Sequence, residues 1–131
     1  MHRRIATLIL LTLTLPMLLL PPAALAKRAA PARITPIIDH GVRYTAPNDQ
    51  HTRAYVQAWN AKTNQMLWEI TLFRTIIIPG IEEDYQTVFI ARMSLEEGRL
   101  IVVAEDGRVF GVDVKTRAVK KLKNVPPPHQ A

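Results

Sequence analysis

Two histidines with acidic neighbours are the residues of this chain whose types could carry acid–base or metal chemistry. Asp39-His40 and Asp49-Gln50-His51 each place an imidazole close to a carboxylate. If they converged, they would offer metal ligands or a general acid and base. Neither has helical ligand spacing and both adjoin turn residues, so solvated loop positions are the expectation. A small hydrolase built on Asp39, His40 and His51 is therefore the least favoured of three functional readings. His129 lies near the C-terminus, and Ser94, the only serine, has no histidine near it in sequence. Glu82-Glu83-Asp84 offers the oxygen ligands that Ca²⁺ prefers, yet three adjacent side chains cannot all turn to one ion. This triad reads as a solubilising connector, or as a partner-contact segment leading into the apolar run after it. There is no Gly-rich phosphate loop, His-x-x-x-His, cysteine cluster or Gly-x-Ser-x-Gly. No catalytic residue, metal site or cofactor site is expected.

The aromatic residues allow a binding surface instead. Tyr44, Tyr55, Trp59, Trp68 and Phe89 could stack on sugars or peptides, or fill the core of a small β domain. Trp68 and Phe89 are assigned to the core. Tyr44, Tyr55 and Trp59, with Glu82, Glu83 and Asp84, are the candidate partner contacts.

The elements that must position these side chains have mostly a period of two. Strands are expected at 41–46, 53–59, 66–73, 86–95, 99–104, 108–114 and 118–122. Tyr55, Gln57 and Trp59 fall on one face of the second run, and Ala54, Val56 and Ala58 on the other. Met66 to Phe73 carries only Glu69 and Thr71 as polar residues, which predicts a central strand buried on both faces. Ile76-Ile77-Ile78 either extends that strand or edges a loop before Pro79-Gly80. Asp106-Gly107 predicts a type I′ hairpin turn. Lys120-Lys121 suits an edge strand. No long helical period follows Ala26. The fold class is all-β: an antiparallel hairpin or meander of six to seven strands, as a small sandwich or partly open barrel with blade-like units.

Four segments follow. Met1-His2-Arg3-Arg4, the apolar run Ile5–Leu20 and Ala24-Leu25-Ala26 are the n-region, h-region and cleavage site of a secretory signal peptide over 1–26. The run is shorter than the roughly 20 residues that span a bilayer, which favours cleavage over a retained anchor. Residues 27–36 read as an Ala/Pro-rich flexible leader, 37–122 as a single β domain and 123–131 as a Pro-rich disordered tail. With no cysteine, an exported domain depends on its hydrophobic core, which favours a bacterial periplasmic or secreted protein. The net charge of +6 belongs to the ends, for residues 34–123 hold 12 Lys and Arg against 11 Asp and Glu. That balance leaves little room for a basic face, so nucleic acid is not an expected partner.

One pattern occurs twice. Ala58-Trp59-Asn60-Ala61-Lys62-Thr63, followed by Trp68, resembles the blade repeat of quinoprotein-type β-propellers, a strand ending in Ala-x-Asp-Ala-x-Thr-Gly with a Trp shortly after. Asp106-Gly107-Arg108-Val109-Phe110-Gly111-Val112-Asp113-Val114-Lys115-Thr116 resembles a second copy. An Asn or Asp at the strand end can bind backbone N–H groups just beyond it. The family's turn glycine is replaced by Asn64 and Arg117, and the second copy lacks the Trp. Arg tolerates the left-handed region poorly, so the second turn is expected to differ in type. The resemblance implies two blade-like units. A propeller needs several blades, and the family's cofactor sits across a complete ring, so no cofactor-binding residue carries over.

The leading expectation is an exported, non-enzymatic β domain acting as a binding or structural module of the cell envelope, with an unknown protein or glycan partner. It would meet the membrane only through the signal peptide before cleavage, and blade-like edges would permit a homo-oligomer. The alternative is a secreted inhibitor or accessory subunit of an envelope enzyme that works through a loop.

Overall fold

The computed structural model describes residues 28–128; the signal peptide read over 1–26 lies outside them. The described residues form eight strands: β1 (Ile37–Asp39), β2 (Val42–Thr45), β3 (Arg53–Asn60), β4 (Met66–Arg74), β5 (Ile90–Glu96), β6 (Arg99–Ala104), β7 (Val109–Asp113) and β8 (Val119–Leu122). One short helix, α1 (Glu83–Gln86), lies between β4 and β5. The strands make two antiparallel sheets, β1-β2-β3-β4 and β5-β6-β7-β8, each a meander in chain order with no closed barrel. Among the described residues no helix is long and apolar enough to cross a membrane.

The all-β class and the meander agree with the sequence reading, and several details correct it. β1 is an additional strand, too short at three residues to display a period. β4 is not central. It is the edge of the first sheet, and Met66 and Leu67 are exposed. The fourth expected strand starts at Ile90 rather than Gln86. Residues 83–86 instead form a single helical turn, closed by Thr87, whose N–H and hydroxyl both donate to the Glu83 carbonyl at 3.1 and 3.0 Å. β8 is an edge strand, as its lysine pair suggested.

The turn at Asp106-Gly107 also differs. Only Gly107 has positive φ, at 88°. Ala104 donates to Arg108 and Gly107 to Ala104, which makes a three-residue loop with glycine in the left-handed position. The two-residue pattern with both central φ positive occurs elsewhere, at His40-Gly41 (46° and 75°) and Glu97-Gly98 (49° and 75°).

Those two turns begin an equivalence that runs through both sheets. Ala61 donates to the Gly41 carbonyl at 2.9 Å, and Val114 to the Gly98 carbonyl at 3.1 Å. Val42 pairs with Asn60, and Arg99 with Asp113. The side-chain oxygen of Asn60 accepts from the N–H groups of Lys62 and Thr63 at 2.9 and 3.0 Å; Asp113 does the same for Lys115 and Thr116 at 2.9 and 2.8 Å. Asn64 and Arg117 then close their turns on the carbonyls of Asn60 and Asp113, both at 2.8 Å, with φ of 61° and 65°. The second turn is therefore of the same type as the first. Arg117 takes the left-handed conformation within a turn held by three backbone N–H bonds to Asp113.

Register now shows how the sheets stack. Arg43, Tyr44, Thr45, Gln57, Ala58 and Trp59 of the first sheet correspond to Leu100, Ile101, Val102, Phe110, Gly111 and Val112 of the second. The shared core takes Tyr44, Ala54, Val56 and Ala58 from the first sheet. From the second it takes Leu100, Val102, Phe110 and Val112, which belong to the opposite set. The two units are stacked front to back. Phe73 stacks on Phe110 across the interface, with centroids 5.5 Å apart. The Asn48 side chain bridges the sheets: it accepts from Ile90 N–H at 2.9 Å and donates to the Ile90 carbonyl at 2.8 Å.

Both flanking segments touch the domain. Arg28 pairs with Glu105, donates to the carbonyls of Asp84 and Thr87, and lies 4.9 Å over the Phe89 ring. Val125 donates to the Gly107 carbonyl at 2.9 Å.

Candidate functional site

Front-to-back stacking leaves free the face of the first sheet that corresponds to the packed face of the second. The alternation of β3 sends Tyr55, Gln57 and Trp59 there, and β2 and β4 add Arg43, Thr45, Glu69 and Thr71 from opposite positions. These side chains are tied together. Trp59 Nε1–H lies 3.3 Å from both Thr45 Oγ1 and Gln57 Oε1, and Thr45 donates to Gln57 Oε1 at 3.2 Å. Gln57 Nε2 and Arg53 both donate to Glu69 Oε1, at 3.2 and 3.3 Å, and Arg53 also reaches Thr71 Oγ1 at 3.2 Å. Arg53 covers the Tyr55 ring at 4.0 Å.

Tyr55 is buried beneath this cover, with 4% of its surface exposed. Its hydroxyl donates to Asp49 Oδ1 at 2.5 Å. Burial first, then the bond to Asp49 and the charges of Asp49 and Glu69, push the phenol up to about 12; Arg53 opposes them. Tyr55 thus keeps its proton at neutral pH and serves as a hydrogen-bond donor to Asp49. Tyr44 lies on the other face, in the core, 6.0 Å from the Trp68 ring. Burial, then the charge of Asp39, raises its pKa. The expectation that Tyr44 and Tyr55 stand exposed as partner contacts is corrected on both counts. Trp59 remains partly exposed at the surface. Trp68 and Phe89 pack inward as expected.

At one end of the free face lies an open groove of about 380 Å³, where Arg33 and Ile34 from the leader meet Arg43, Thr45, Gln57 and Trp59. The Arg43 guanidinium lies 5.9 Å from the Trp59 ring and donates to Asn64. Neither Arg33 nor Arg43 was a candidate from the sequence. The alternation in β3 pointed to Gln57 and Trp59 as facemates, but their neighbours follow from cross-strand register, which periodicity does not specify.

The histidine pairs do not converge. His40 bonds Asp39 at 2.8 Å in the β1–β2 turn, while His51 follows the opposite end of β2. His51 faces Glu83 and Asp84 at 3.5 and 3.8 Å and meets Phe89 edge-on. Among the described residues no group of three His, Cys, Asp or Glu is placed to hold a metal ion. Glu82, Glu83 and Asp84 are exposed around α1. Beside them stands a feature the sequence left open: Ile76, Ile78, Ile81 and Tyr85 are exposed, Ile76 by 86%. Gln86 pins this loop, accepting from Ile78 N–H at 2.6 Å and donating to the carbonyls of Ile78 and Ile81 at 3.1 and 2.9 Å. No family model matches the chain, and no curated protein matches it.

Proposed function

We propose that the protein is an exported, non-enzymatic binding module of the cell envelope whose contact surface is the free face of the first sheet. One observation carries this reading. The face that packs in the second sheet as Leu100, Val102, Phe110 and Val112 recurs in the first as Arg43, Thr45, Gln57 and Trp59, left free, with the last three linked by hydrogen bonds. Its groove combines an aromatic ring with fixed polar groups, the composition of a recognition site. The consecutive four-strand order and front-to-back stacking support reading the sheets as two blade-like units of the quinoprotein type. Continuing that stack with a second copy would desolvate Arg43, Arg53 and Glu69, so the same face favours a monomer. Light scattering on the exported chain tests this point; a ring or filament would overturn it.

A second reading rests on the loop pinned by Gln86. A loop that holds isoleucines in solvent resembles the contact of an inhibitor or accessory subunit more than a linker. A photo-crosslinking side chain placed at Thr71, at Ile101 on the second sheet's outer face, or at Ile76 separates the two readings in cells that export the protein. Adducts at Thr71 and not at Ile101 support the binding face. Adducts at Ile76 alone transfer the contact to the loop, and none at any position overturns both.

A further inference from the structure

We propose that the groove beside Trp59 is a subsite for an acidic sugar, a hexuronate ring within a saccharide. This rests on the free face being the contact surface, and it names what that face would take. The groove is lined by two arginines, Arg33 and Arg43, and by no acidic residue. Glu69, on the same face, is held by Arg53 and Gln57. The lining therefore carries uncompensated positive charge and selects an anion.

The rest of the groove narrows the anion to one carried on a ring. Trp59 has its indole N–H fixed against Thr45 and Gln57, so its orientation is set before a ligand arrives. Such a platform suits a sugar ring, whose C–H groups can rest against an aromatic face. The Arg43 guanidinium carbon lies over the indole, 5.9 Å from the ring centroid, at the outer reach of a cation–π contact. Arg33 enters from the leader. A carboxylate on a ring seated at Trp59 would meet these two guanidiniums, and the ring hydroxyls would meet Thr45 and Gln57. A volume of 380 Å³ lies within the range of about 300–1,000 Å³ of small-ligand sites.

The test follows the Trp59 indole N–H signal by NMR on the exported chain, assigned by its loss in Trp59→Phe. Trigalacturonate should shift it saturably, while neutral galactotriose should need at least tenfold more. Arg33→Gln and Arg43→Gln should each weaken the acidic ligand about tenfold, as loss of a charge-assisted bond implies. Arg33 lies outside every strand, so its variant tests binding without disturbing a sheet. Equal binding of the neutral sugar, equal competition by inorganic phosphate, or full affinity in Arg33→Gln would overturn the proposal. If trigalacturonate leaves the signal unmoved while Thr71 still forms crosslinks, the acidic sugar is wrong and the binding face stands. If both are silent, both fall.

Discussion

The two sheets share a backbone and differ in what they present from it. Each begins with a hairpin whose turn residues both have positive φ, and each ends its third strand with an Asn or Asp that holds the next turn through two backbone N–H groups. From equivalent positions the second sheet offers Leu100, Val102, Phe110 and Val112, and the first offers Arg43, Thr45, Gln57 and Trp59. Local turn chemistry thus sets the unit, and the polarity of the alternating side chains decides which of its faces is covered. The apolar face is buried because removing it from water is favourable; the polar one, which carries a charged arginine and hydrogen-bonded polar groups, gains nothing by being covered.

Truncating the same position in both sheets tests that division most directly. Leu100 is fully buried, so Leu100→Ala should cost about 2–5 kcal/mol through lost burial and an unfilled cavity. Arg43→Ala, at the equivalent place, should change stability by less than about 1 kcal/mol. Urea unfolding of both variants measures the difference. Equal losses would mean that the free face of the first sheet is structural.

The next effect concerns the link between the sheets. Asn48 supplies Ile90 with the donor and acceptor that a neighbouring strand would provide, and Ile90 is fully buried. Asn48→Ala leaves both backbone groups unpaired and should cost about 1–3 kcal/mol. Amide hydrogen exchange should report it as faster exchange at Ile90, with β7 protected as before. Unchanged exchange at Ile90 would show that the bridge carries no stability.

How much of this was legible in the chain depends on the range of each interaction. Hairpins and faces follow from neighbours in sequence, so Tyr55, Gln57 and Trp59 could be grouped without a structure. The place of a strand within its sheet does not. Met66–Arg74 is apolar enough to look central, yet it is an edge, because its neighbour is set by the chain's path and not by its own period. The groove was illegible for the same reason: Arg33, Arg43 and Trp59 meet only once β2 is laid beside β3 in register. Asp106-Gly107 was misread because a two-residue signal does not count the residues the loop uses. Arg117 was misread because propensity argued against a conformation that the Asp113 hydrogen bonds support. The repeated motif was visible from the outset, but its front-to-back consequence required knowing which face of each copy is buried.

Arg117 gives a smaller test, in the opposite direction. A left-handed arginine costs about 1–2 kcal/mol, part of which glycine would return through its freer unfolded chain. Arg117→Gly should therefore stabilise by about 0.5–1 kcal/mol, a rise in Tm of roughly 3–6 °C. Asn64→Gly, where the native residue tolerates φ of 61°, should gain less. A destabilised Arg117→Gly would mean that the arginine side chain has a role beyond the turn.

The smallest effect is one of pH, and it separates the two turns by charge alone. Asp113 accepts from Thr116 and Lys115, and these bonds, the Thr116 one first, hold its carboxyl below the usual value of 3.8. A carboxyl whose pKa is lower folded than unfolded contributes stability that is fully present above the unfolded value. That contribution is lost as the pH falls through the folded one. Asn60 makes the same two bonds with a neutral oxygen and has no such dependence. Asp113→Asn should flatten the acid limb of the stability profile below about pH 4 and leave neutral stability nearly unchanged, since the amide oxygen can keep both bonds. Asn60→Asp should add a matching acid-sensitive step to the first sheet. Unfolding curves at pH 3 and pH 7 for the pair decide it. If the two substitutions do not act in opposite senses, the turns share their geometry without sharing the energetics that the hydrogen bonds imply.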